Sequence, residues 1–197
     1  MFESKRFKTL HSIISLTAAA LLAALVSGCS TSIANRNPIN EPFPEVSGEA
    51  LNGDAWNIPQ DLAGKPAIVI MGYVQDAQFD IDRWLLGIVQ VETPVPFLEL
   101  PTIKGMAPRM FKGRIDEGMR GGIPKEDWRG VVTIWGDDAK RVVALTGNEK
   151  PNNARVALLD AEGKIAWFAD RGFSPGGMLE LDRKARELLG EPEETGP

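Results

Sequence analysis

The stretch DLAGKPAIVIMGYVQDAQFDIDRWLLGIVQ, residues 61–90, contains the change of hydrophobic period that decides the fold class. Its first half holds an apolar run, PAIVIMGYV at 66–74, of the kind found in a strand covered on both faces, and Gly64, Lys65 and Pro66 turn the chain into it. From Asp76 the spacing becomes helical: Ala77, Ile81, Trp84, Leu85 and Ile88 fall on one face, with Asp76 placed to cap the helix start. A doubly buried strand followed directly by an amphipathic helix predicts a βαβ crossover. The alternation continues downstream. TPVPFLEL (93–100) predicts a second strand shortened by Pro94 and Pro96, and RMFKGRIDEGMRGG (109–122) a helix built on Met110, Ile115 and Met119. GVVTIWG (130–136) predicts a buried strand, and DDAKRVVALTG (137–147) a helix stopped by glycine. ARVALLDAEGKIAWFAD (154–170) is two short strands around the turn Asp160–Gly163, and PGGMLELDRKARELLG (175–190) a final helix ended by Gly190. The expectation is an α/β fold, a central mixed sheet flanked by helices.

Upstream of this body the composition changes. Lys5, Arg6, Lys8 and His11 precede IISLTAAALLAALV (13–26), which carries no charge, as in the basic and apolar regions of an export signal, and the run is short for a membrane span. It ends in VSGC, residues 26–29, which resembles the lipobox of bacterial lipoproteins. That resemblance implies cleavage before Cys29, a diacylglyceryl thioether on its sulfur and an acylated amine, hence a stable membrane anchor. Ser30 resembles the residue that follows the cysteine in lipoproteins sent to the outer membrane, so a periplasm-facing position there is favoured over the inner membrane. The expected organisation is a signal peptide at 1–28, a lipidated flexible tether at 29–42 rich in Asn, Pro and Ser, a domain at 43–190 and a disordered tail at 191–197.

The order of elements at 43–190 resembles the thioredoxin-like superfamily in its extracytoplasmic and peroxiredoxin-related forms. DLAGKPAIVI (61–70) is similar to that superfamily's approach to its first central strand, and LLDAEGKIAW (158–167) to its terminal hairpin. The redox pair of that superfamily lies between the strand and the following helix, where this chain reads GYVQDAQFD (72–80). The corresponding positions, Gln75, Asp76, Gln78 and Phe79, supply no thiol, and no proline stands at Asn153–Arg155, near which the superfamily resemblance places the cis-proline that faces its cysteines; Pro151 lies too early to match. With one cysteine in the whole chain, and that one assigned to lipid, dithiol exchange is excluded. GMAPRMFKGRIDEGMRGGIPKEDWRGVVTIWGD (105–137) together with LLDAEGKIAWFADRG (158–172) loosely resembles the mitochondrial ATP-synthase assembly factors called ATP10 and their bacterial relatives. This resemblance implies binding during assembly of a membrane complex in place of thiol chemistry.

Other chemistries are bounded by composition. The only histidine, His11, lies in the signal, which removes Ser-His triads and imidazole zinc sites from the domain. No phosphate-binding glycine loop is present, and a chain of formal net charge -5 without a basic block has no nucleic-acid footprint. No cofactor or metal is expected. The carboxylates Asp76, Asp80, Asp82, Asp137 and Asp138 are the candidates for the alternative reading, a noncanonical enzyme or a small-ligand or metal-binding site near Asp76 and Asp137; the competing reading is helix capping and solvation. Arg109, Lys112, Arg114, Arg120, Lys125 and Arg129, with Trp128, form a basic segment that would suit a docking patch for a partner or anionic headgroups, against a salt-bridged surface as the simpler alternative. Trp56, Trp84, Trp135 and Trp167 fall in apolar patterns and are expected in the core.

Overall fold

A computed structural model describes residues 32–104 and 109–190. Seven strands, β1 (Val46–Ala50), β2 (Ala55–Ile58), β3 (Ala67–Gly72), β4 (Phe97–Ile103), β5 (Val132–Trp135), β6 (Arg155–Leu159) and β7 (Ile165–Ala169), form one sheet in the order β2-β1-β5-β4-β3-β6-β7. Among the described residues four α-helices accompany it: α1 (Gln78–Gln90), α2 (Arg109–Gly122), α3 (Gly136–Thr146) and α4 (Pro175–Leu189). β4 runs parallel to β3 and to β5, as the crossovers require, whereas β6 is antiparallel to β3 and to β7.

The apolar run read from the sequence is the centre of the sheet, and its alternation serves two cores. Ala67, Val69 and Met71 enter a cluster with Leu98, Leu100, Val132, Ile134 and the α3 residues Ala139, Val142 and Leu145. Ile68 and Ile70 enter the opposite cluster with Ile81, Trp84 and Ile88 of α1 and Met178, Leu181 and Ala185 of α4. Trp84 is buried, with Trp167 and Phe173 edge-on to it at 5.9 and 5.4 Å between ring centres.

Local chemistry sets the ends of the elements. In the β6–β7 turn the Asp160 carboxylate accepts the N–H groups of Glu162 and Lys164, and Gly163 supplies the left-handed φ of 79°. Ser174 caps α4 by accepting the Gly177 N–H, Pro175 opens it, and Gly190 closes it in the αL conformation.

Three details differ from the sequence expectation. The second strand begins only at Phe97, because Pro94 and Pro96 precede regular pairing. The β1–β2 hairpin, VSGEA and AWNI, has no apolar run to announce it; it forms because β1 pairs with β5, Gly48 opposite Ile134. A Cβ at Gly48 would stand 2.5 Å from Val132 Cγ1, so that position requires a bare backbone. Lastly, among the described residues, hydrogen bonds to the domain begin at Ile33. The chain from Ile33 to Phe43 lies as a strap along one side: Asn148 N–H donates to the Ile33 carbonyl at 2.9 Å, Arg36 N–H to Thr146 at 3.2 Å, Asn40 N–H to Ile165 at 2.8 Å and Phe43 N–H to Gly163 at 3.0 Å.

Candidate functional site

Beyond Gly72 the chain leaves the sheet through Tyr73 and an extended Val74, then makes one 3-10 turn, Gln75–Ala77, that runs into α1. Gln75, Asp76, Gln78 and Phe79 are all exposed, and Ala77 is buried between them. Asp76 does not cap α1: the residue preceding that helix is Ala77, already helical, with no side-chain cap, because the additional turn displaces Asp76 from the position its sequence spacing suggested. Gln78 Nε2 donates to Asp82 Oδ1 at 2.9 Å one helical turn on. Phe79 is 77% exposed, and Val74 beside the same turn is 43% exposed. Leu86 and Val89, also exposed, continue Phe79 along one side of α1.

Asp80, one of the carboxylates noted above, is buried and structural. Its two oxygens accept the Ala154 N–H at 2.9 Å and the Phe173 N–H at 2.8 Å, so one side chain ties the first turn of α1 to the start of β6 and to the loop before α4. On the other face, the Tyr73 hydroxyl meets the Thr146 hydroxyl at 2.5 Å, and the Arg155 guanidinium lies 5.3 Å from the Tyr73 ring centre. Burial pushes the Tyr73 hydroxyl up to about 12, against the smaller opposing effects of Thr146 and Arg155. Arg155 is fully buried and is held by the carbonyls of Lys150, Asn153 and Glu149 and by Asn35 Oδ1. Burial lowers its pKa, partly offset by Tyr73 and Asp170. Glu99 of β4 is also buried: desolvation first, and then the neighbouring Asp82, raise its pKa to about 7, while a hydrogen bond from Gln78 works the other way.

No family model matches the chain, and no curated protein does. Solved structures do match. A SCO1/SenC family lipoprotein from Bacillus anthracis is 13% identical, with 79% of this chain and 99% of that one covered at a TM-score of 0.55. A candidate protein disulfide isomerase from Bacteroides thetaiotaomicron is 14% identical over 82% and 96%, also at 0.55. A candidate thiol:disulfide interchange protein DsbE from Chlorobium tepidum is 13% identical over 81% and 100%, at 0.51. The fold is thioredoxin-like.

Within this thioredoxin-like domain Asp137 and Asp138 have partners of their own. Asp137 sits in the first turn of α3, where its carboxylate pairs with Lys140 Nζ at 2.8 Å, and that hydrogen bond holds its pKa below the usual range. Asp138 accepts the Ser47 N–H at 2.8 Å and pairs with Arg141. Neither is the N-cap, which is Trp135, so both act in the first helical turn. Asp76 and Asp137 share no partner among the described residues, and neither lines the cleft between the Ile33–Phe43 strap and the loop before β6. Among the described residues no group of three or more potential metal-ligating side chains occurs.

The basic segment is partly built into the fold. Arg120 Nε donates to the Leu51 carbonyl at 2.8 Å and its guanidinium lies 5.5 Å from the Trp128 ring centre, while Trp128 Nε1 donates to Ile123 at 3.0 Å. These bonds give Arg120 and Trp128 an intramolecular role joining α2, the loop after β1 and the segment before β5. Arg109, Lys112 and Arg114 are on α2, with side chains outside the described residues, as is Cys29. The apolar stripe on α1 and the Asp80 clamp were not singled out as such from sequence. The first had a signal in Phe79, Leu86 and Val89 at helical spacing; the second depends on contacts across more than 70 residues.

Proposed function

We propose that the protein acts by binding: a lipid-anchored, thioredoxin-like protein of the bacterial envelope, held by acyl chains on Cys29 and facing the periplasm, that contacts a membrane protein complex during its assembly or stabilisation. The observation that carries this reading is the surface where the superfamily resemblance implies a thiol pair. In its place stand Gln75, Asp76, Gln78 and Phe79, with exposed Val74 and Phe79 continuing into Leu86 and Val89. Exposed aromatic and aliphatic side chains in one stripe are poor for solubility and suited to an interface. The absence of any cysteine after Cys29 fits binding in place of exchange. The lipobox resemblance, and a structural neighbour that is itself a lipoprotein, support the envelope location.

The test is site-specific photo-crosslinking in native membranes from Phe79 and Leu86, with Leu179, exposed on α4, as the control position. The expected result is a reproducible membrane-protein adduct from Phe79 and Leu86 only, with the Phe79 adduct lost when Leu86→Asp/Val89→Asp is added and the thermal melt unchanged. Equal labelling from all three positions, or no adduct where a control complex is recovered, would overturn the reading. Parallel capture with Arg109→Glu/Arg114→Glu asks whether α2 belongs to the same interface.

A further inference from the structure

The strap and the loop before β6 enclose a cleft of about 520 Å³ at the side of the sheet carrying Tyr73 and Arg155. Its framework is prebuilt. Asn35 N–H donates to Glu149 Oε2 at 3.2 Å, Glu149 N–H donates back to Asn35 Oδ1 at 2.8 Å, and the same Asn35 oxygen accepts from buried Arg155 at 2.9 Å. Arg36 on the rim is paired with Glu41. Lys150 and Arg171, in contrast, have no carboxylate partner among the described residues, and Glu149 and Asp170 line the same cleft with Phe168. Two cations and two carboxylates around one concavity complement neither a simple anion nor a simple cation. They complement a ligand with a negative and a positive group a few ångströms apart.

Connectivity says where such a ligand would come from. Only Ser30, Thr31 and Ser32 separate Cys29 from Ile33, where the strap is already hydrogen-bonded. Cys29 to Ile33, fully extended, spans at most about 14 Å, less than the roughly 40 Å diameter implied by the radius of gyration of a domain this size. Acyl chains on Cys29 therefore bring the side of the domain bearing Ile33 and Asn148 to the bilayer surface, and Asn35 and Lys150, which line the cleft together with Arg171, adjoin those residues in the chain. We infer that this cleft binds the headgroup of a zwitterionic, phosphoethanolamine-type membrane lipid, its phosphate on Lys150 and Arg171 and its ammonium on Glu149 and Asp170, and so fixes which side of the domain faces the membrane. This rests on the lipid-anchored reading.

The test uses the mature chain carrying Cys29→Ser, which removes acyl attachment and keeps every described residue, with co-sedimentation on phosphatidylcholine vesicles containing phosphatidylethanolamine, phosphatidylglycerol or neither. The expected result is at least fivefold more binding with phosphatidylethanolamine than with either other composition, lost in Lys150→Ala/Arg171→Ala whose melting curve matches wild type. Equal binding to all vesicles, a preference for phosphatidylglycerol, or a variant that binds normally overturns the proposal. So does saturation by soluble glycerophosphoethanolamine without vesicle binding, which would indicate a free metabolite. The anchoring reading is judged separately, by the intact mass of Cys29-containing protein from native membranes. An unmodified cysteine sinks anchoring while leaving the vesicle result to decide headgroup recognition.

Discussion

Asp80 shows how much a single buried carboxylate organises. It accepts two backbone N–H groups from segments far away in sequence, so Asp80→Ala leaves both donors without their partner. The expected loss is about 2–4 kcal/mol, with Asp80→Asn losing less, read by urea denaturation. Tyr73 is the only tyrosine in the chain, which makes its ionisation directly observable by ultraviolet absorbance. Its folded midpoint should lie near 12 where an unfolded tyrosine titrates at 10.0. Glu99 gives a pH dependence nearer neutrality. Its folded pKa, about 7, is raised above the ordinary 4.5, so folding favours the protonated form. That contribution is fully present below 4.5 and is lost as the pH rises through 7. Stability should therefore fall by up to about 3 kcal/mol between pH 5 and 8 from this group, and Glu99→Gln should flatten that slope in denaturation curves.

At the scale of elements, helices were more legible than their attachments. The periodicities of α1, α2, α3 and α4 and the turn at Asp160–Gly163 could be read because each rests on residues close in sequence. The strap could not. Asn, Pro and Ser between 30 and 40 read as a tether, yet Ile33–Asn40 finds its hydrogen-bond partners at 146–149 and 165. Gly147 explains how closely it seats: with φ at 74°, a Cβ there would lie 2.3 Å from the Ala34 carbonyl oxygen. Gly147→Val should dislodge the strap, seen as faster amide exchange at residues 33–37 with α1 and α4 protection retained. Unchanged exchange would mean the strap is not held at that point.

For the whole molecule, β3 is the shared element. Its alternate residues belong to the cores on both faces of the sheet, so neither core can open alone. Ile70→Ala should cost about 2–5 kcal/mol, with tryptophan fluorescence and far-ultraviolet circular dichroism still moving together. The α1 stripe and the strap cleft belong to this scale too, since each brings exposed side chains together on a surface no local window describes.

The sequence by itself determined the α/β class, the βαβ core, the hairpin with its closing helix, and the absence of a thiol pair at the end of β3. Those follow from hydrophobic period, from turn residues and from which atoms a side chain contains. Only the tertiary structure decided that Asp80 is a clamp, that Asp76 does not cap α1, that Arg120 and Trp128 are engaged with each other, and that the chain from Ile33 to Phe43 is hydrogen-bonded to the domain. Burial and charge pairing depend on which distant segments meet, and a residue's type does not carry that information.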